Sequence, residues 1–269
     1  MLLKKNGKKA LKTLKVFRYI NKVLGVRNLK VVSIIPARFG STRFPGKPLA
    51  KINGRPMIQH VYEQVSKATK VDEVIIATDN EQIVKEVESF NGVASITQTN
   101  HESGSDRIAE VASNSDGDIF LNIQGDEPLI SPILLDNLVE EAEENLDSVI
   151  TAKTQIAKEN DIYDPNIVKV ITNDINDAIY FSRLPLPYNR AEMDISYYKH
   201  LGVYCYPRNI LEKFVKLTKS KLEKIEMLEQ LRLLENGYNL KVIETTYDAV
   251  GVDTPEDIIK VEKVLEEMK

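Results

Sequence analysis

Ile34-Ile35-Pro36-Ala37-Arg38-Phe39-Gly40-Ser41-Thr42-Arg43-Phe44-Pro45-Gly46-Lys47-Pro48 is the stretch from which the rest of the chain is read. A short apolar strand, Val31 to Ile35, runs into a loop that carries two Arg, one Lys, two Gly, two hydroxyls and two Pro after Pro36. Such a loop offers backbone N–H groups and three cations to a polyanion, the chemistry a nucleoside triphosphate requires. It is not a Walker A loop, which has four residues between its glycines and Ser or Thr after the Lys. Here five residues separate Gly40 from Gly46, and Lys47 is followed by Pro48, which has no hydroxyl for a metal ion. If the loop holds a triphosphate, the metal ligands come from elsewhere in the chain.

Outward from this loop, strand and helix alternate. Met57, Ile58, Val61, Val65 and Ala68 form a helical stripe, and Val74 to Ala77 reads as a buried strand. Asp79, with Gln82 three residues on, reads as the cap of the next helix. A strand over Val93 to Thr97 precedes a polar loop, and Ser103 with Asp106 caps a further helix. Asp118 to Ile123 reads as a strand ending in Gln124-Gly125-Asp126-Glu127-Pro128. Ser131 and Pro132 open a helix to Glu144, and Ser148 to Lys153 is again a strand. This alternation predicts an α/β fold, a Rossmann-like three-layer sandwich with a mostly parallel sheet, helices on both faces and ligands at the strand-end edge.

After about residue 155 the rhythm changes. Val168 to Ile171 and Ala178 to Phe181 flank Asn173-Asp174 and predict a hairpin. Ser182 to Arg190, with Pro185 and Pro187, must be largely irregular. A β-prone run, Tyr197 to Tyr206, precedes helices over Arg208 to Leu217 and Leu222 to Glu235, the second placing Glu226 and Gln230 on one face at i and i+4. Asn239 to Glu244 reads as a strand, and Thr254 caps a closing helix with Pro255 at its first position. The resulting division is a basic extension over 1–28 and a single domain over 29–269, with a core of roughly 29–155, an elaboration of 156–250 and a closing helix over 251–269.

Charge separates the same parts. Residues 1–30 hold eight Lys, two Arg and no acid, so with a net charge of −4 the remainder carries −14. An acidic body argues against nucleic-acid binding, whose footprint is a basic face. The extension reads as a solvated helix packed on its own domain, with peripheral contact to an anionic membrane as the less favoured alternative. No apolar run approaches the ~20 residues of a membrane span. Cys205, the only cysteine, excludes an internal disulfide and suits a reducing, cytoplasmic setting.

Two carboxylates answer the demand for metal ligands. Asp126 follows a buried strand, and Asp253 sits in Gly251-Val252-Asp253-Thr254-Pro255 ahead of a capped helix. Magnesium takes hard oxygens, commonly one or two carboxylates plus phosphate oxygens. By itself Asp126 reads equally as a turn former, and Asp253 as a carboxylate stabilising a helix N-terminus; the cationic loop favours the functional reading of the pair. His60 has no partner pattern and reads as structural, His101 has no role derivable from its loop, and Cys205 reads as packed.

These residues carry a resemblance. Pro36-Ala37-Arg38 with Ser41-Thr42-Arg43-Phe44-Pro45-Gly46-Lys47-Pro48 is similar to the opening signature of the sugar-acid cytidylyltransferases, and more narrowly to their 3-deoxy-manno-octulosonate branch. The match continues, in order, at Ala77-Thr78-Asp79, His101-Glu102-Ser103-Gly104, Gln124 to Pro128, Pro165-Asn166, Tyr180 to Arg183, His200-Leu201-Gly202, Ile225 to Arg232 and Gly251 to Asp257. It spans residue 31 to the C-terminus. Residues 1–28 have no counterpart, Phe39-Gly40 replaces the usual Tyr-Ala, and Ser105-Asp106-Arg107 replaces Thr-Glu-Arg. Leu184 to Tyr188 and Asn189 to Ser196 also depart, near the expected sugar site.

The resemblance implies that CTP and 3-deoxy-manno-octulosonate, a 2-keto-3-deoxy sugar acid, give the CMP-sugar and diphosphate for lipopolysaccharide synthesis, by direct attack of the sugar C2 hydroxyl on the α-phosphate. It implies Lys47, Arg38, Asp126 and Asp253 as catalytic residues, with Mg2+ on Asp126 and Asp253. Nucleotide contacts fall on Ala37, Arg38, Ser41, Arg43, Lys47, Thr78, Asp79 and Ser103, and sugar contacts on Gln124, Arg183, His200, Tyr204, Glu226 and Gln230. A homodimer is also implied. The alternatives are another sugar acid, an 8-amino analogue or a sialic-type acid, and a non-catalytic nucleotide-binding scaffold.

Overall fold

The computed structural model describes residues 29–40, 44–101 and 103–267. The basic extension and Ser41, Thr42, Arg43 and Glu102 therefore lie outside the described residues. The first strand, β1 (Val31–Pro36), is buried on both faces, which is why apolar residues stand at adjacent positions on either side of Ser33 rather than alternating. Val31 and Ile35 enter the core on one side of the sheet and Val32 and Ile34 the core on the other.

After β1, a small hairpin of β2 (Lys51–Ile52) and β3 (Arg55–Pro56) leads to α1 (Met57–Val65). Then come β4 (Glu73–Thr78), α2 (Glu81–Ser89), β5 (Ala94–Ile96), α3 (Gly104–Ser113), β6 (Ile119–Asn122), α4 (Pro132–Glu144) and β7 (Ser148–Gln155). The second half adds α5 (Glu159–Tyr163), β8 (Lys169–Thr172), β9 (Ala178–Ser182), β10 (Tyr198–Pro207), α6 (Arg208–Phe214), α7 (Lys221–Glu226), α8 (Gln230–Glu235), β11 (Asn239–Glu244) and α9 (Pro255–Glu267).

The main sheet runs in the order β11-β7-β10-β6-β1-β4-β5, with β8 and β9 attached to one end of β10. β1, β4, β5 and β6 pair in parallel, as do β7 and β11; β10 runs antiparallel between β6 and β7. One reversed strand has a geometric consequence. Its first residues, Tyr198 to Leu201, lie at the edge where the parallel strands end. The β8–β9 hairpin is antiparallel, as its turn signal predicts. Among the described residues no helix is long and apolar enough to cross a membrane.

Two sequence expectations are corrected. Asn80, not Asp79, caps α2, its side chain accepting from the backbone N–H groups of Gln82 and Ile83. Asp79 is drawn away by the fully buried Arg107, whose guanidinium donates to it at 2.7 Å. The helix expected over Leu222 to Glu235 is two helices. Met227 adopts a left-handed conformation (φ 54°) that ends α7, so Glu226 and Gln230 leave in different directions and share no helical face.

A buried ion pair holds these two helices. Glu223 caps α7 through the backbone N–H of Ser220 and receives the Arg232 guanidinium at 2.5 and 2.8 Å, both side chains being 6 % exposed. Arg232→Met leaves that carboxylate buried without its cation, so urea denaturation should show a loss of about 3–5 kcal/mol. A loss under about 1 kcal/mol would mean the pair is solvated.

Candidate active site

Three segments far apart in sequence meet at the carboxyl edge of the sheet. The first is the loop after β1. Gly46, at φ 70°, turns the chain into a short 3-10 turn, Lys47–Leu49, and its N–H donates to the Phe39 carbonyl at 3.0 Å. The second is the turn after β6. A Cβ on Gly125 would lie 2.8 Å from the Pro36 carbonyl oxygen, so only glycine lets this turn close on the end of β1. The third precedes α9, where the Val252 N–H donates to the Asp126 carbonyl at 2.9 Å.

Lys47 sits where the three meet. Its ammonium donates to Asp126 Oδ2 at 2.6 Å and to the Val252 carbonyl at 2.8 Å, and lies 3.6 Å from Asp253 Oδ1. Asp126 and Asp253 thus converge on one point. Two hard carboxylates beside a cationic loop are the donor set magnesium takes when phosphate oxygens and water complete its shell. Among the described residues no group of three acidic, His or Cys side chains forms a fuller metal cage. The cleft around them is about 410 Å³, lined by Ala37, Arg38, Lys47, Gln124, Asp126 and Asp253 among others. Gly104, the first residue of α3, also lines it and turns the positive end of a ten-residue helix toward the site.

A second cleft, about 460 Å³, adjoins the first and shares Gly104 and Gln124 with it. Of the expected sugar residues, Gln124, His200, Tyr204 and Gln230 line it; Arg183 and Glu226 line neither cleft. Glu226 accepts from the Ser182 hydroxyl and the Arg183 backbone, at 2.7 and 3.0 Å. The Arg183 guanidinium donates to the Glu226 and Pro165 carbonyls, both at 2.8 Å. This pair braces two loops that wall the cleft, Asn166 to Val168 and Met227 to Gln230. Sequence reasoning passed over Asn122, Glu127, Lys199 and Glu229, all in the lining. Gln124-Gly125-Asp126-Glu127 had signalled a functional turn, but which of its acids faces which cleft depends on the turn itself.

The expected base and ribose residues cluster at the ends of β4 and α3. Ala37 donates its N–H to Ala77 at 2.8 Å, Thr78 Oγ1 accepts the Asn80 N–H at 3.3 Å, and Ser103 closes a capping box with Asp106. Only Ala37 of these lines the first cleft. His60 binds the Ile52 carbonyl inside the core, His101 pairs with Glu110, and Cys205 is fully buried.

Burial sets the charge states in the second cleft. Glu127 is pushed up to about 8 by burial and then by the neighbouring Asp126 charge. His200 is pushed down to about 3 by burial. Its Nε2 lies 2.8 Å from the Thr151 hydroxyl, which donates to the Val203 carbonyl at 2.8 Å, so Nε2 carries the proton. Because the folded value is depressed, His200 contributes stability above pH ~6.5 that is lost as the pH falls toward 3. In urea titrations between pH 6 and 4, His200→Gln should lose about 1 kcal/mol per pH unit less than the unmodified chain. Parallel slopes would show that His200 is solvated.

A family model described as Cytidylyltransferase matches residues 32–246. A 3-deoxy-manno-octulosonate cytidylyltransferase of Geotalea uraniireducens is 49 % identical over 253 residues, covering 90 % of this chain and 100 % of the relative. The enzyme of the same name from Solibacter usitatus is 48 % identical over 87 % of this chain and 94 % of its own. A solved CMP:2-keto-3-deoxy-manno-octonic acid synthetase complexed with CTP superposes with a TM-score of 0.86 at 41 % identity, over 89 % of this chain and 100 % of that one. A 4-diphosphocytidyl-2C-methyl-D-erythritol synthase from Anaerococcus prevotii, 18 % identical with a TM-score of 0.61 over 88 % of this chain and 99 % of that one, shares the fold. The chain belongs to the cytidylyltransferase family and, within it, to the 3-deoxy-manno-octulosonate cytidylyltransferases.

Proposed function

We propose that this chain transfers the cytidylyl group of CTP to the C2 hydroxyl of 3-deoxy-manno-octulosonate, releasing diphosphate. The observation that carries the reading is the junction of two clefts at Gln124 and Gly104, one beside the cations and paired carboxylates, the other lined by amides, a neutral imidazole and phenol. A nucleotide in the first and a sugar in the second bring the hydroxyl to the α-phosphate at that junction. No protein nucleophile is needed, so catalysis is positioning and charge stabilisation.

Arg38 and Lys47, with Arg43 of the same loop, hold the triphosphate and balance charge building on the departing diphosphate. Asp126 and Asp253 are the residues that would hold Mg2+, which when bound would polarise the α-phosphate and lower the pKa of the attacking hydroxyl. Gln124 reaches both clefts and orients the hydroxyl; His200, Tyr204 and Gln230 offer donors and acceptors to the sugar. The backbone at Ala37 reads the nucleotide, and Thr78, Asp79 and Ser103 shape the end of the sheet behind it. Arg183 and Glu226 support the sugar site through the loops they brace.

The wider setting follows from the product. A CMP-activated octulosonate supplies lipopolysaccharide assembly from the cytoplasm, where CTP is made. The chain acts as a homodimer, and exposed apolar side chains in the second half, Leu184, Tyr188 and Met193 among them, are available to a second copy.

Diphosphate release from CTP and Mg2+ across a panel of sugar acids tests the substrate. Turnover should be strongest with the 3-deoxy-octulosonate or its 8-amino analogue; activity with a sialic-type acid alone would overturn the assignment. Asp126→Asn and Asp253→Asn should each slow release by about 100-fold or more while the chain still folds cooperatively in a thermal melt. A near-normal rate in either variant would remove that residue from the metal site.

A further inference from the structure

Among the described residues lining the second cleft, Lys199 is the only lysine or arginine. Its neighbour His200 is neutral, held by Thr151. Arg183 does not line the cleft, and its guanidinium is taken up by the backbone carbonyls of Pro165, Glu226 and Met227. The same walls present two acids, Glu127 and Glu229. A sugar acid entering this cleft brings another carboxylate, and a partly buried carboxylate needs a cation or convergent donors.

Lys199 is not idle. Its ammonium is paired with Asp248, and the two side chains are 19 % and 70 % exposed. Asp248 belongs to the segment between β11 and α9. In that segment Ala249 lines the sugar cleft, while Val252 and Asp253 meet Lys47 beside the nucleotide cleft. An exposed carboxylate on a loop is released to water at little cost, since such pairs contribute only about 0–1 kcal/mol. The arrangement is a cation held ready by an exchangeable partner.

We propose that the carboxylate of the sugar acid displaces Asp248 from Lys199, making Lys199 the anion-binding residue of the sugar cleft and Asp248 its built-in competitor. The inference rests on the sugar-acid reading of the function. It separates two residues that a purely structural ion pair would make equivalent: losing the cation harms sugar binding, whereas losing the competitor does not.

The test is steady-state diphosphate release by the full chain and its Lys199→Met, Lys199→Arg and Asp248→Asn variants, with CTP and the sugar acid varied separately. Lys199→Met should raise the sugar-acid KM by about tenfold or more while the CTP KM stays within about threefold. Lys199→Arg should restore most of that loss, and Asp248→Asn should leave the sugar-acid KM unchanged or lower it. A sugar-acid KM that rises about threefold or more in Asp248→Asn, or less than about tenfold in Lys199→Met, overturns the proposal. If Lys199→Met does not fold, the direction of change in Asp248→Asn decides. An unmodified chain inactive with every sugar acid would overturn the functional reading and this inference together; an active chain indifferent to Lys199 overturns the inference alone.

Discussion

The ammonium of Lys47 is the point on which the site depends. It bonds Asp126, 79 residues away, and the Val252 carbonyl, 205 residues away, and faces Asp253. Two carboxylates brought to the rim of one cleft repel each other unless a cation lies between them. Lys47 fills that place, 16 % exposed, so the loop after β1, the turn after β6 and the segment before α9 are tied by one charge. The missing hydroxyl after Lys47 then has a physical meaning. Pro48 is buried within the 3-10 turn, and the carboxylate oxygens gathered at this point come from the other two segments.

The reversed strand β10 makes the second cleft. In an all-parallel sheet each strand brings only its carboxyl end to the ligand edge. By running the other way between β6 and β7, β10 brings Lys199 and His200 to that edge and leaves Tyr204 opposite Asn122 of β6. Its pairing with β7 shifts between Leu201 and Tyr204, and the Thr151 hydroxyl sits at the irregularity, bonded to the Val203 carbonyl and to His200. The imidazole is further fixed by the Phe181 ring, edge-on with centroids 4.9 Å apart. Rigid placement of a neutral imidazole suits hydrogen bonding to sugar hydroxyls better than charge pairing.

Around this cleft, charged groups spend themselves on backbone. Arg183, Glu226 and the fully buried Lys169 join the carbonyls and amides of loops that have no regular partner; Lys169 alone reaches the Asp164 and Ile167 carbonyls at 2.8 and 2.6 Å. Buried backbone groups outside helices and strands must find such partners. The loops of the second half are therefore held by side chains that answer their backbone groups, while its strands and helices add Phe181, Ile210, Phe214, Leu231 and Val242 to the core shared with β1.

Much of this was legible in the chain. The buried apolar strand β1, the caps at Ser103 and Ser131, the hairpin turn at Asn173-Asp174 and the convergence of Asp126 and Asp253 beside the cationic loop follow from local chemistry: periodicity, capping oxygens and a loop without a hydroxyl after its lysine. What only the tertiary structure decided is where charged side chains point. The i, i+4 spacing of Glu226 and Gln230 suggested one helical face, but the left-handed Met227 separates them, sending Glu226 to Arg183 and Gln230 to the cleft. Asp79 had the spacing of a cap, yet the buried Arg107 claims it because a guanidinium out of water must have a carboxylate. Lys199 carried no signal at all, being one lysine in a strand. Its meaning comes from β10 running backwards, a long-range pairing that no local pattern encodes.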